Sequence, residues 1–219
     1  MPHSSSSLVA RLGSALAAAG LMASLAACGG SPSPAPSAGT SSNPATAASG
    51  QGTAGAQAPV PAESNPPGDI PDSTVYVTYS SAAGHLSVKV PEGWSRQAGS
   101  GSATFTSNLN SVRVEWMPMA AAPTVSSART TTVPRLQAST LAFRLQTVKT
   151  ASLPGGPAVE TIYQVNSPPN QVTGRQYRLV VERFELYHNG RGAVLSLSSA
   201  VGSDNADPWR TVSESFRWM

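Results

Sequence analysis

The chain of 219 residues has little of what metal and covalent chemistry depends on, with one cysteine and three histidines. A single cysteine excludes a disulfide within the chain, so a folded domain has to be stabilised by its core alone. His85 and His188 are the histidines beyond the N-terminus, and a serine hydrolase would have to combine one of them with an acid and a serine. The H-E-x-x-H, G-x-S-x-G and phosphate-loop motifs are also missing. We therefore expect no metal site, no cofactor and no thiol catalysis.

The position of the one cysteine, Cys28, indicates its use. A positive charge at Arg11 is followed by an uncharged stretch at residues 12–27, the arrangement of a signal peptide. As a helix this stretch would span about 24 Å, short of the ~30 Å hydrocarbon core of a bilayer. The sequence LAAC at residues 25–28 resembles the lipobox of bacterial lipoproteins. There, small side chains admit the peptidase and the thiol takes up a diacylglyceryl group.

This pattern predicts that residues 1–27 are removed and that Cys28 carries a lipid anchor on the extracytoplasmic side of the cell membrane. Two acyl chains suffice for lasting attachment, since each buried methylene contributes about 0.8 kcal/mol. The alternative is an incidental cysteine in an ordinary secretory signal.

Residues 28–72 are almost wholly Gly, Ser, Ala, Thr and Pro and show no apolar periodicity. Such a segment buries too little surface to offset the entropy of ordering it. It is predicted to be a disordered tether with an end-to-end distance of roughly 35–40 Å. An O-glycosylated stalk has the same composition, so both interpretations stay open.

Residues 73–219 have the size and composition of a single domain, and their apolar residues mostly alternate with polar ones. The run HLSVKV at residues 85–90 is an example, with three aliphatic residues on one face of a strand. The pair Asn189-Gly190 lies between two long alternating runs and predicts a hairpin with a type I′ turn. Three tryptophans fall at positions expected to face the core: Trp94, Trp116 and Trp209.

Helix patterns occur at two places. Asp207 and Pro208 predict the start of a C-terminal helix within residues 207–218, with Asp207 as its N-cap. A second helix is expected within residues 124–140, kinked or divided at Pro134. Strands dominate without strand–helix alternation, which predicts an α+β fold with an antiparallel sheet flanked by a few helices.

Three segments of the domain carry a family resemblance: LSVKVPEGW at residues 86–94, ERFELYHNGRGAVLSLSS at residues 182–199 and GSDNADPWRTVSESFRW at residues 202–218. Together they resemble actinobacterial lipoproteins of the LpqN type and, more distantly, the PsbP-like fold. The resemblance covers nearly all of the domain. It implies an antiparallel sheet flanked by helices and a binding or accessory module without a shared catalytic motif, so it assigns no catalytic residue.

A surface hydrolase acting on an envelope ester or glycan is the alternative function. Glycosidase chemistry needs two facing carboxylates, but Glu182 and Glu185 are an odd number of residues apart, which sends them to opposite faces of a strand. We expect them to pair with Arg178 and Arg183 or to face solvent. The oxygen-rich SDNAD at residues 203–207 lacks the spacing of a calcium-binding loop, and a turn with a helix cap explains it better.

The sequence thus favours a membrane-anchored, non-catalytic, monomeric binding or accessory lipoprotein. Its expected partners are the membrane, through Cys28, and an envelope lipid, a glycan or a membrane protein. The residues proposed from alternation to contact such a ligand are Tyr163, Tyr177 and Arg183. Thirteen Lys and Arg against eight Asp and Glu in residues 73–219 give weak attraction to an anionic membrane. The compartment excludes nucleic acid.

Overall fold

The computed structural model describes residues 57–64 and 68–219. The predictions for residues 1–27, for Cys28 and for most of the tether lie outside the described residues. The strands are β1 Tyr76–Ser81, β2 Leu86–Pro91, β3 Ser95–Gly99, β4 Ser102–Ser107, β5 Asn110–Pro118, β6 Arg144–Leu153, β7 Gly156–Asn166, β8 Arg178–His188, β9 Arg191–Ala200 and β10 Arg217–Trp218. They form a small sheet of order β1-β2-β10 and a large sheet of order β3-β4-β5-β9-β8-β7-β6, paired antiparallel throughout. The predicted α+β class is confirmed.

The hairpin of β8 and β9 lies near the middle of the large sheet. Its turn residues Asn189 and Gly190 have φ values of 47° and 80°, the positive values that a type I′ turn requires. The two strands pair from His188–Arg191 to Leu179–Ala200. The hairpin predicted from Asn-Gly is therefore confirmed.

The main core lies between the two sheets and the C-terminal helix. Its fully buried side chains come from alternate strand positions and from the chain end, and they include Leu86, Val88, Val112, Val114, Leu186, Leu195, Leu197, Val212 and Phe216. Trp209 is buried and stands edge-on to Trp94, with ring centroids 6.4 Å apart. Trp94 and Trp116 pack against the same core at its margin. The predicted inward orientation of these three tryptophans is confirmed.

The C-terminal helix, α3, spans Ala206–Glu214, and its N-cap is Asn205. The prediction of Asp207 as the cap is wrong, although Asp207 lies in the first turn, where a negative charge favours the helix. The last predicted residues are not helical either. After Glu214 the chain bends so that Phe216 is buried, and Trp218 pairs with Leu86 in the small sheet.

The second predicted helix consists of α1 Val125–Ser127, a π-helical turn Ala128–Thr132 and α2 Val133–Ser139. Pro134 lies in the first turn of α2, where its missing N–H is tolerated, so the expected division of the helix is confirmed. These pieces, here called the helical segment, pack over β6, β7 and β8 on the face of the large sheet that points away from the main core. Within the described ranges, no helix is long and apolar enough to cross a membrane.

Residues 57–64 and 68–72, which composition assigns to the tether, lie against the domain and are here called the strap. Ile70 is only 6% exposed and belongs to the main core. Three buried asparagines bind the strap backbone: Asn166 contacts Val60 N and Ala58 O, Asn110 donates to Gly68 O, and Asn205 contacts Ile70 N and Gly68 O. The folded part therefore begins before residue 73. The strap has few apolar side chains to bury, and hydrogen bonds between the asparagine side chains and its backbone hold it against the domain.

Gly155, between β6 and β7, is a position where one added methyl group should destabilise the fold. A Cβ there would lie 2.5 Å from Phe216 Cδ1 and 3.0 Å from the Phe216 carbonyl oxygen. We expect Gly155→Ala to lower the free energy of unfolding by about 1–3 kcal/mol in urea denaturation. Gly99→Ala is the control, since its Cβ would meet Ser102 Oγ at 2.6 Å, and that hydroxyl can rotate away. Equal losses in the two variants would contradict a rigid contact with Phe216.

Candidate functional site

The two faces of the large sheet differ in what covers them. One face is buried against the small sheet and α3, whereas the helical segment covers the other face only over β6, β7 and β8. On the uncovered part, polar side chains stand opposite one another across β4, β5 and β9, as in the row of Thr104, Arg113 and Ser196. We call this second face the helix-side face.

A cleft of about 670 Å³ opens between the chain leading into α1 and the end of the helix-side face. Its apolar side chains are Ala122, Pro123, Val125, Pro157, Val159 and Tyr187, and its exposed hydroxyl residues are Thr124, Ser126, Thr150 and Ser152. Ala151 and Ala158 also line it, although their side chains pack against the main core on the other face of the sheet. The volume lies in the range of roughly 300–1,000 Å³ that is usual for small-molecule sites. We call this feature the apolar cleft.

Two local anchors hold the outer wall of the apolar cleft in place. The Met119 N–H donates to the Gly190 carbonyl at 2.9 Å, which attaches the chain after β5 to the turn of the hairpin. Thr124 and Ser127 form a reciprocal capping box that fixes the start of α1. Gly192 leaves room for Met119, because a Cβ there would lie 2.5 Å from Met119 Cε. The wall between these anchors is thus positioned by the fold.

A cluster of charges lies beyond the cleft on the helix-side face. Arg183 Nε is 3.1 Å from Glu185 Oε1, and Arg183 Nη1 is 3.8 Å from Glu115 Oε2, which also pairs through Oε1 with Arg113 at 2.9 Å. Thr132 of the helical segment donates to Glu185 at 3.0 Å. The predicted pairing of Glu185 with Arg183 is confirmed. The cluster fixes these side chains against one another and leaves their charges balanced.

The structure brings together two of the three residues proposed to contact a ligand. Tyr163 and Arg183 lie on neighbouring strands of the helix-side face, but Tyr163 is 6% exposed and packs on Phe143 at 5.3 Å. Burial raises the pKa of the Tyr163 hydroxyl, and the charge of Arg183 opposes that shift. Tyr177 lies apart, before β8, with the Arg175 guanidinium 5.0 Å above its ring. None of the three lines the apolar cleft, so their contact with a ligand stays a prediction.

His85 and His188 both lie at turns between strands. His85 has a φ of 49° in the connection between β1 and β2. His188 stacks on Trp218 with ring centroids 5.8 Å apart, and its Nε2 is 3.0 Å from Asn189 Nδ2. Among residues 57–64 and 68–219, neither histidine forms a salt bridge, and no group of three potential metal ligands occurs.

Glu182 lies on the face of the large sheet that packs against the main core, whereas Glu185 lies on the helix-side face, as their odd spacing predicts. Its diagonal neighbour on the same face is Glu160 of β7. This neighbour could not be predicted from the sequence, because it depends on the register in which β7 and β8 pair. Lys149 Nζ is 3.1 Å from Glu160 Oε2. Arg178 pairs with none of these acids, contrary to expectation, because it is buried and donates to Ala142 O at 2.7 Å.

Burial raises the pKa of the Glu182 carboxyl, Glu160 raises it further, and Lys149 opposes the shift. Since the folded-state pKa lies above the unfolded-state value, the contribution of Glu182 to stability is present at low pH and is lost as the pH rises through the folded-state pKa. We therefore expect Glu182→Gln to raise the melting temperature at neutral pH and to change it little below the usual carboxyl range. Thermal melts of both proteins across pH test this. Parallel curves would contradict it.

No family model matches the chain, and no curated protein matches it either. Several solved structures are similar to this chain. The solution structure of cyanobacterial PsbP from Synechocystis is 16% identical over 69% of this chain and 98% of its own, with a TM-score of 0.47. The Ran-binding protein Mog1p of Saccharomyces cerevisiae is 9% identical over 67% of this chain and 96% of its own, with a TM-score of 0.46.

A structure from Bacteroides thetaiotaomicron is 10% identical over 65% of this chain, with a TM-score of 0.46, and this chain spans 48% of its length. At these scores the similarities carry no argument about a ligand or an activity.

Proposed function

We propose that the chain is a membrane-anchored, envelope-facing lipoprotein of the PsbP-like kind, and that its domain binds the acyl chain of an envelope lipid without catalysing a reaction. The lipobox-like sequence ending at Cys28 supports the anchor. The apolar cleft supports the binding, and its size and lining carry the proposal.

Physical chemistry favours an acyl chain over a glycan in this cleft. Covering apolar surface gains roughly 25 cal/mol per Å², and six of the twelve lining residues turn an alanine, valine, proline or tyrosine side chain towards the cleft. The lining contains no charged side chain to bind an anion. Hydroxyl groups at Thr124, Ser126, Thr150 and Ser152 are suited to a polar headgroup at the rim.

The surroundings of the cleft favour binding without turnover. No histidine, Asp or Glu is among its lining residues. The neighbouring acid on the helix-side face, Glu185, is held by Arg183 and Thr132. A glycan hydrolase would need two facing carboxylates. The pair that comes closest to this arrangement, Glu160 and Glu182, lies on the other face of the large sheet. A hydrolase acting in the cleft would therefore lack an acid–base pair there.

Titration with a fluorescent fatty acid, dansyl-undecanoic acid, tests the proposal. The protein is the mature chain with Cys28→Ser, so that its own acyl chains cannot compete. We expect saturable binding that Ser152→Trp weakens at least about tenfold, because an indole at this position fills the cleft. Ser95→Trp, on the exposed β3 strand, is the matched control and should bind like the parent. Equal binding by all three proteins, or none by the parent, would overturn the proposal.

A further inference from the structure

The outer strands of the two sheets are protected against pairing with other chains, with one exception. In the large sheet, β6 carries Arg144, Lys149 and a register shift between Leu145 and Thr147. At the other edge, β3 has five residues and includes Arg96. In the small sheet, β10 has two residues. Charge, irregularity and shortness are the means by which natural edges avoid pairing.

β1, the other edge of the small sheet, has none of these features. The sequence STVYVTYSS at residues 73–81 contains no charge, no proline and no glycine and is rich in residues that favour strands. Val75 and Val77 are 61% and 41% exposed. Such an uncharged edge is a template for an added strand.

Among the strands of the described residues, β1 pairs only with β2, and its backbone offers unpaired groups at defined positions. The Val75 carbonyl accepts the Glu92 N–H at 2.8 Å, so the backbone groups of Val75 point towards β2. Because this direction alternates along a strand, the backbone groups of Val77 and Tyr79 also point towards β2. The alternate residues Tyr76, Thr78 and Ser80 therefore point their N–H and C=O groups away from the sheet. Each is ready to form a pair of ladder hydrogen bonds with a further strand.

We propose that β1 pairs antiparallel with β1 of a second copy of this chain, about a two-fold axis at Thr78, so that the two small sheets become one sheet of six strands. In this register Thr78 faces its own counterpart, and Val77 faces Tyr79 of the second copy. Thr–Thr and aromatic–β-branched pairs are favourable cross-strand pairs. Arg96 lies 4.8 Å from the Tyr79 ring and holds it in position. The outward backbone groups would form about six hydrogen bonds.

Charge favours a second copy as the occupant of this edge. Self-pairing of β1 brings no two charges opposite each other, whereas self-pairing of β6 would bring Arg144 and Lys149 towards positive charges of the other copy. A symmetric pair also satisfies the free edges of both partners at once. The proposal thus puts a dimer built on β1 in place of the expected monomer.

Cysteine cross-linking of the full-length protein in cells tests the dimer. Cys28 is occupied by the anchor in the proposed mature protein, so Thr78→Cys provides the free thiol. A hydrogen-bonded antiparallel pair has Cα atoms ~5.5 Å apart, within the range of a disulfide. We expect a band at twice the monomer mass, at least about tenfold above that of Thr131→Cys, an exposed threonine on the helical segment. A band with a different protein, or none above the control, would overturn the proposal.

Sedimentation velocity on the mature Cys28→Ser chain gives an independent measure. Thr78→Pro removes an N–H that faces away from β2, so the domain should keep its fold, seen as an unchanged circular-dichroism spectrum, while the dimer is lost. Thr78→Lys should also weaken the dimer at least about tenfold, because it places like charges opposite each other. A parent chain that sediments as a monomer at all concentrations, or variants that dimerise like the parent, would contradict pairing through β1.

Discussion

Removing residues 57–72 is expected to lower the free energy of unfolding by at least about 3 kcal/mol. The truncated chain loses the buried side chain of Ile70, and it leaves the amides of Asn110, Asn166 and Asn205 without their strap partners. Each unsatisfied buried polar group costs about 1–3 kcal/mol, reduced where water enters. Urea denaturation of chains starting at residue 57 and at residue 73 measures the difference.

Point substitutions separate the strap contacts from the effect of chain length. Asn205→Ala should destabilise the full domain, since Asn205 is 2% exposed and contacts Ile70 N and Gly68 O. Asn170→Ala is the control, because Asn170 is exposed and caps only its own loop. If the chain that starts at residue 73 unfolds at the same urea concentration as the longer one, the strap is not part of the fold.

Cys28→Ala is expected to move the protein completely from the membrane pellet to the soluble fraction. The change removes the thiol that would carry the diacylglyceryl group, and with it the burial of two acyl chains, each methylene of which contributes about 0.8 kcal/mol. Fractionation of cells and medium followed by immunoblotting measures this. Ser24→Ala, outside the four lipobox positions, should stay with the membrane. A Cys28→Ala protein that still pellets would show that something other than a lipid at this cysteine holds it there.

The strands and the hairpin could be predicted because their determinants are local. Alternation places Leu86, Val88 and Val90 on one face regardless of what covers them, and Asn189-Gly190 needs only its own two φ angles. The cap of α3 illustrates the limit. Asp207-Pro208 is a good local start for a helix, but Asn205 makes the tertiary contacts, and the helix begins at Ala206, two residues before Pro208.

The strap and the cleft could not be predicted because both depend on contacts between distant parts of the chain. The strap has the composition of a tether, and its order depends on three asparagines at distant places in the chain, the start of β5, the end of β7 and the cap of α3. For the cleft, alternation shows that Arg183, Glu185 and Tyr187 share a face of β8. It does not show that Thr132 of the helical segment contacts Glu185, or that Tyr187 lines the apolar cleft. The burial of Tyr163, which is 6% exposed, depends on such distant contacts too.

The most direct test of an acyl-chain site is NMR mapping with dodecanoic acid on the ¹⁵N-labelled mature Cys28→Ser chain. We expect saturable shifts confined to residues 122–126, 150–152 and 157–159 and to Tyr187, with β3 and β4 unchanged. The same titration of Ser152→Trp should leave those positions unshifted by the fatty acid. Saturable shifts centred on the polar part of the helix-side face, or no saturable shift in the cleft, would contradict the account.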